Sequence, residues 1–143
     1  MLAAALRALF LWLSDRRWLG RVAMGTPLLR RMPLPVSIIV LHYTGMPDCQ
    51  GALDRMTSPE AKVSAHYCVD EDGTIHKLVD ETKRAWHAGT SALHGVPTDV
   101  NSRSIGIEIV NDGSGKTPFT EAQMKSLIQL TGYLKQEYKV PMN

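Results

Sequence analysis

His42 closes an apolar run, Val36-Ser37-Ile38-Ile39-Val40-Leu41, and the chain holds four more histidines, His66, His76, His87 and His94. An imidazole at the tip of a buried strand offers a nitrogen lone pair to whatever lies beyond the strand. Metal ligation and proton transfer are the chemistries that use such a group. The plainer role is a histidine hydrogen-bonded into the structure, and spacing alone does not decide, because neither H-x-x-x-H nor C-x-x-C occurs. Cys49 and Cys68 are too few for a disulfide scaffold and lack the paired spacing of a zinc finger. One carboxylate has a defined place: in "SIGIEIV", residues 104 to 110, Ile105, Ile107 and Ile109 alternate with Gly106 and Glu108, which puts Glu108 on the face opposite the isoleucines. "AWHAG", residues 85 to 89, joins an aromatic, a histidine and a glycine, a combination that suits a ligand groove and equally an ordinary turn.

The elements that must carry these residues read as alternating strand and helix. Val36 to His42 is apolar without alternation, the pattern of a central strand covered on both faces. "DCQGALDRM" opens on Asp48 as a cap and predicts a short helix. "SAHYCV" (64 to 69) and "TIHKLV" (74 to 79) flank "DEDG" and predict a hairpin turning at Gly73, with His66 and His76 in its two arms, where they could approach each other. Thr120 with Gln123 forms a capping box, Phe119 and Met124 can staple it, and Met124, Leu127, Ile128, Leu134 and Tyr138 predict the apolar stripe of a C-terminal helix.

Residues 1 to 31 differ from the rest. Eleven of the twelve residues in "LAAALRALFLWL" (2 to 13) are apolar. The stretch is too short to span a bilayer, and it lacks the charge order and cleavage site of a secretory signal. Six arginines stand against one aspartate in residues 1 to 31, leaving ten basic and thirteen acidic groups in a mildly acidic body with no nucleic-acid footprint. The segment reads as a helix packed on the domain or lying on a membrane surface, or as sequence ahead of a start at Met24 or Met32. The remaining length suits one core and one domain.

"VLHYTG", "VSAHYCVDEDGTIHKLV", "RAWHAGTSALHG" and "NSRSIGIEIVNDG", in that order and at these separations, resemble the zinc-dependent N-acetylmuramoyl-L-alanine amidases of type 2, the superfamily that includes the peptidoglycan recognition proteins. The resemblance covers about residues 36 to 139. It implies an α/β fold with a mixed central sheet flanked by helices. It also implies hydrolysis of the amide between N-acetylmuramic acid and L-alanine, in peptidoglycan or muropeptides, during bacterial cell-wall turnover. His42 matches the first zinc ligand of the family and Glu108 the glutamate that takes a proton from zinc-bound water. Trp86, His87 and Asn101 match positions near the substrate cleft, whereas His66 is read as structural.

The family continues past its last helix into a stretch like G-H-S-D-x-A-P-x-R-K-x-D-P-G, which supplies its second and third zinc ligands and a lysine. The sequence ends before that stretch, so the expectation is a C-terminally truncated amidase type 2 domain over residues 33–143, preceded by an apolar and basic helical segment over 1–32. The chain is expected to be inactive as written if the further ligands are missing. The partners implied are peptidoglycan or a muropeptide, with no nucleic acid, a membrane contact through 1–31 as an option, a monomeric state, and a site in the bacterial cytoplasm or cell envelope. The readings from other classes are a non-catalytic peptidoglycan-binding module, and a membrane-associated or partner-binding protein in which the N-terminal segment does the work.

Overall fold

The structure, a computed structural model, describes residues 31–141. The helical segment expected over residues 1–32, with its membrane-contact option, lies outside the described residues except at Arg31 and Met32. Six strands and two α-helices follow: β1 (Ile38–Tyr43), α1 (Cys49–Thr57), β2 (Tyr67–Val69), β3 (Ile75–Lys77), β4 (Ala92–Leu93), β5 (Val96–Pro97), β6 (Ser104–Ile109) and α2 (Glu121–Glu137). Four strands make one mixed sheet in the order β1-β6-β2-β3, with β1 and β2 both parallel to β6 and β3 antiparallel to β2. β4 and β5 form a separate small hairpin across His94 and Gly95, both with positive φ, the signature of a primed turn.

Each face of the sheet buries its own cluster. Ile105, Ile107 and Ile109 of β6 pack with Tyr67, Val69 and Ile75 under Leu127, Leu130 and Leu134 of α2. On the other face Cys68 packs with Ala65, Leu78, Val79 and Ala85 under Ala52, Leu53 and Met56 of α1. The alternation in "SIGIEIV" thus divides the strand as expected, isoleucines toward α2 and Gly106 and Glu108 toward the α1 side.

The caps behave as the sequence predicts. Asp48 Oδ1 accepts from Gly51 N at 2.7 Å, and Thr120 and Gln123 form the full capping box. The hairpin also forms, but its strands are short, because beyond Tyr67 the backbone of His66 serves both Leu78 N and Val79 N and breaks the ladder.

Two expectations are corrected. β1 is not a central strand: among the described residues it is the sheet edge, with Leu41 49% and Tyr43 58% exposed. The stripe of α2 is also rotated. Met124 and Ile128 are exposed, while Gln123, Ser126 and Leu130 are buried, because Gln123 Nε2 donates to Val110 O at 2.7 Å and Ser126 Oγ donates to Gly73 O at 2.7 Å. Satisfied polar groups decide which side of the helix turns inward. No helix among the described residues is long and apolar enough to cross a membrane.

Candidate functional site

Pairing across the sheet sets His42, Glu108, Cys68 and His76 in one row. His42 pairs with Glu108 between β1 and β6, Glu108 with Cys68 between β6 and β2, and Cys68 with His76 between β2 and β3. Directly paired residues project from the same face with Cβ atoms about 4.5–5.5 Å apart. His42 and Glu108 are therefore neighbours at the C-terminal ends of two parallel strands, on the α1 side. Glu108 lines a small cleft of about 80 Å³ with Tyr43, Thr44, Met46, Arg55 and Met56. Burial pushes its carboxyl up to about 7, so at neutral pH it exists in both protonation states.

Behind this pair lies a stack of imidazoles. His42 Nε2 is 3.0 Å from His87 Nδ1, and His87 Nε2 is 3.0 Å from Ser104 Oγ, which itself lies 2.6 Å from Val100 O. The carbonyl can only accept, so Ser104 donates its one proton there and takes the His87 Nε2–H in turn. His87 Nδ1 is then the acceptor for His42 Nε2–H, and this network assigns the free lone pair of His42 to Nδ1. Burial, with help from His66, His42 and Arg84, holds the His87 imidazole down to about 3, so the ring is neutral as the network requires. Burial lowers His42 as well.

His87 fits because position 106 has no side chain. A Cβ there would lie 2.2 Å from His87 Cγ. His66 completes the stack with its ring centroid 5.9 Å from that of His87; its Nδ1 accepts from Gly106 N at 3.0 Å and its Nε2 faces Lys83 O at 3.0 Å. With both nitrogens engaged, complete burial, and a pKa held down to about 4 by that burial, His66 has the structural surroundings expected of it. The ring it meets is that of His87.

The "AWHAG" loop is pinned at several points. Ser64 brackets Trp86, its N donating to Trp86 O and its Oγ accepting from Trp86 N, both at 3.0 Å. Asn101 Oδ1 accepts from His87 N at 3.2 Å and Ala88 N at 2.8 Å, and its Nδ2 donates to Ala88 O at 2.6 Å. Arg84 grips Asp99 with both carboxylate oxygens in reach, 2.9 and 3.1 Å. Trp86 is left 39% exposed, whereas His87 and Asn101 are buried. Of the three residues matched to the cleft, Trp86 is the one whose side chain is available at the surface, and Asn101 is occupied with the loop backbone.

Sequence reasoning passed over Ser104 and Gly106. The signal for Gly106 was present, since glycine inside a strand marks a close approach of another group. It named Cys49 and His76 without joining them to each other or to Asp70, and the three offer donor atoms within 4.8 Å of one another. No such set of three surrounds His42 among the described residues. One imidazole nitrogen and one carboxylate do not fit a complete catalytic zinc site, which takes three protein ligands.

The family model described as N-acetylmuramoyl-L-alanine amidase matches residues 32–143. The 1,6-anhydro-N-acetylmuramyl-L-alanine amidase AmpD of Haemophilus influenzae is 35% identical, over 76% of this chain and 67% of its own. The solved structure of the amidase AmiD from E. coli, in complex with anhydro-N-acetylmuramic acid-L-Ala-D-gamma-Glu-L-Lys, is similar with a TM-score of 0.66 and 30% identity, over 89% of this chain and 49% of its own. AmpDh3 from Pseudomonas aeruginosa, in complex with an anhydromuramic pentapeptide, aligns with a TM-score of 0.64 and 30% identity, over 80% of this chain and 49% of its own. The chain thus spans about half the length of these two solved relatives.

Proposed function

The chain belongs to the N-acetylmuramoyl-L-alanine amidase family, and from that premise we propose that it hydrolyses the amide between N-acetylmuramic acid and L-alanine in soluble anhydro-muramyl peptides. The observation that carries the reading is the pairing of His42 with Glu108 on adjacent parallel strands, with the Glu108 carboxyl poised near 7. The relatives named for the 1,6-anhydro sugar support the substrate class.

In this reading the Glu108 carboxylate takes a proton from the attacking water as its oxygen bonds to the amide carbon. The same group, now protonated, returns the proton to the alanine nitrogen as the C–N bond breaks. A side chain that titrates near the working pH suits both halves of that cycle. His42 presents its Nδ1 lone pair to the same space, held in that tautomer by His87. Trp86 offers an apolar face to the sugar or peptide, while His87 and Asn101 hold His42 and the loop from behind. Zinc is implied by the family, and His42 would be one of its ligands, but the described residues do not complete the set.

A second reading, a peptidoglycan-binding module without catalysis, is favoured by the lack of a three-donor set around His42 among the described residues. Incubation with anhydro-muramyl tripeptide, followed by chromatography and calorimetric titration, separates the two. Released peptide supports hydrolysis, binding without release supports the module, and the absence of both binding and release overturns both readings.

A further inference from the structure

The row of paired residues continues past Glu108 to a second group that the amidase reading does not use. Cys49 is the first residue of α1, directly after its Asp48 cap, so its half-buried sulfur sits at a helix N-terminus, where a thiolate is favoured. It meets the β2–β3 hairpin at His76, in β3, and at Asp70, just past the end of β2. One donor atom from each of Cys49, Asp70 and His76 lies within 4.8 Å of the other two, and His76 Nε2 is 4.0 Å from Asp70 Oδ2. His76 is 7% exposed, and its Nε2 is shielded from solvent with no hydrogen-bond partner among the described residues. An imidazole nitrogen left bare in this way destabilises the fold unless something engages it.

We propose that Cys49, Asp70 and His76 form a binding site for a zinc-class divalent ion, separate from the His42–Glu108 pair, that ties the start of α1 to the β2–β3 hairpin. One thiolate, one imidazole and one carboxylate are a borderline-soft set of the kind zinc accepts, and three protein donors leave a fourth position for water. Tetrahedral zinc needs donors about 3.3–3.8 Å apart, given bonds of about 2.0–2.3 Å, so donors as far as 4.8 Å apart close by at most about 1–1.5 Å. Cys68 completes the surroundings. It is fully buried with Cys49 packed against its cluster, and that neighbour and its burial push its own thiol far up, so it remains a thiol and supports the Cys49 sulfur from behind. The neighbouring Cys68 holds Cys49 down to about 6 against burial.

The test is Co2+ titration of the full chain, with both thiols first shown to be free. The expected result is one equivalent of ion with a thiolate-to-cobalt charge-transfer band in the near ultraviolet. That band should be lost in Cys49→Ser, weakened about 10–100-fold in affinity in Cys68→Ala, and kept in His42→Ala. In the unmutated protein, where no folding defect intervenes, saturating Zn2+ should slow alkylation of Cys49 by about tenfold or more. A native Cys49–Cys68 disulfide, no band with free thiols, a band that survives Cys49→Ser or disappears in His42→Ala, or an unchanged alkylation rate would each overturn the site.

Discussion

Substituting Gly106 by alanine should be among the most damaging single-methyl changes in this protein. The new Cβ would sit 2.2 Å from His87 Cγ, 2.4 Å from Cδ2 and 2.6 Å from Nδ1, against an ordinary contact of 3.4 Å or more. The ring must therefore retreat by about 1 Å, which lengthens both of its 3.0 Å contacts, to His42 and to Ser104, beyond hydrogen-bonding range. Two lost hydrogen bonds cost about 1 kcal/mol each, and overpacking a close-packed interior adds about 1–3 kcal/mol. Urea unfolding followed by tryptophan fluorescence should then show Gly106→Ala less stable by about 3–5 kcal/mol, a large share of a typical domain's stability. The double variant with His87→Ala supplies the internal check. If the ring is the obstacle, removing it relieves the clash, and the double variant is less destabilised than the sum of the singles by about 1 kcal/mol or more. A Gly106→Ala loss under about 1 kcal/mol, or simple additivity with His87→Ala, would refute this packing.

Two further predictions concern protons. Glu108 has a folded pKa of about 7 against an ordinary 4.5, so between those values the folded state keeps a proton that the unfolded chain releases; the group therefore opposes folding increasingly as pH rises through that window. Glu108→Gln should stabilise the metal-free protein at pH 8 and lose that advantage by about pH 4.5, and equal urea midpoint shifts at both ends would show that the carboxyl is not buried as described. His66 and His87, at about 4 and about 3, run the other way: the unfolded chain protonates near 6.5 while the folded rings stay neutral, so stability is lost as pH falls below 6.5. Both imidazoles should remain neutral at pH 5 by NMR, and protonation of either above pH 6 would contradict the stacked arrangement.

What could be read from the sequence follows physical range. Local rules reached the caps at Asp48 and Thr120, the hairpin turn at Gly73 and the two-sided β6, because each depends on near neighbours in the chain. β1 was misplaced because an unbroken apolar run marks a covered strand only when neighbours lie on both sides, and pairing partners are not encoded locally. The α2 stripe missed Gln123, Ser126 and Leu130 because their burial depends on carbonyls of distant turns, Val110 O and Gly73 O. In the site, Glu108 was placed by strand period alone, whereas the relay from His42 through His87 to Ser104 joins residues 45 and 17 positions apart. The Cys49, Asp70 and His76 group has no recognisable spacing because a helix start and a hairpin bring it together.

The most direct test of the His42–Glu108 assignment is hydrolysis of anhydro-muramyl tripeptide by the protein and by Glu108→Gln, followed by chromatography of the released peptide, with circular dichroism confirming an intact fold. The assignment predicts release by the unmutated protein and a rate about 10²–10⁴-fold lower in the variant, the usual worth of a general acid–base group. A variant that turns over at the unmutated rate, or an unmutated protein that binds the peptide and leaves its amide intact, would contradict it.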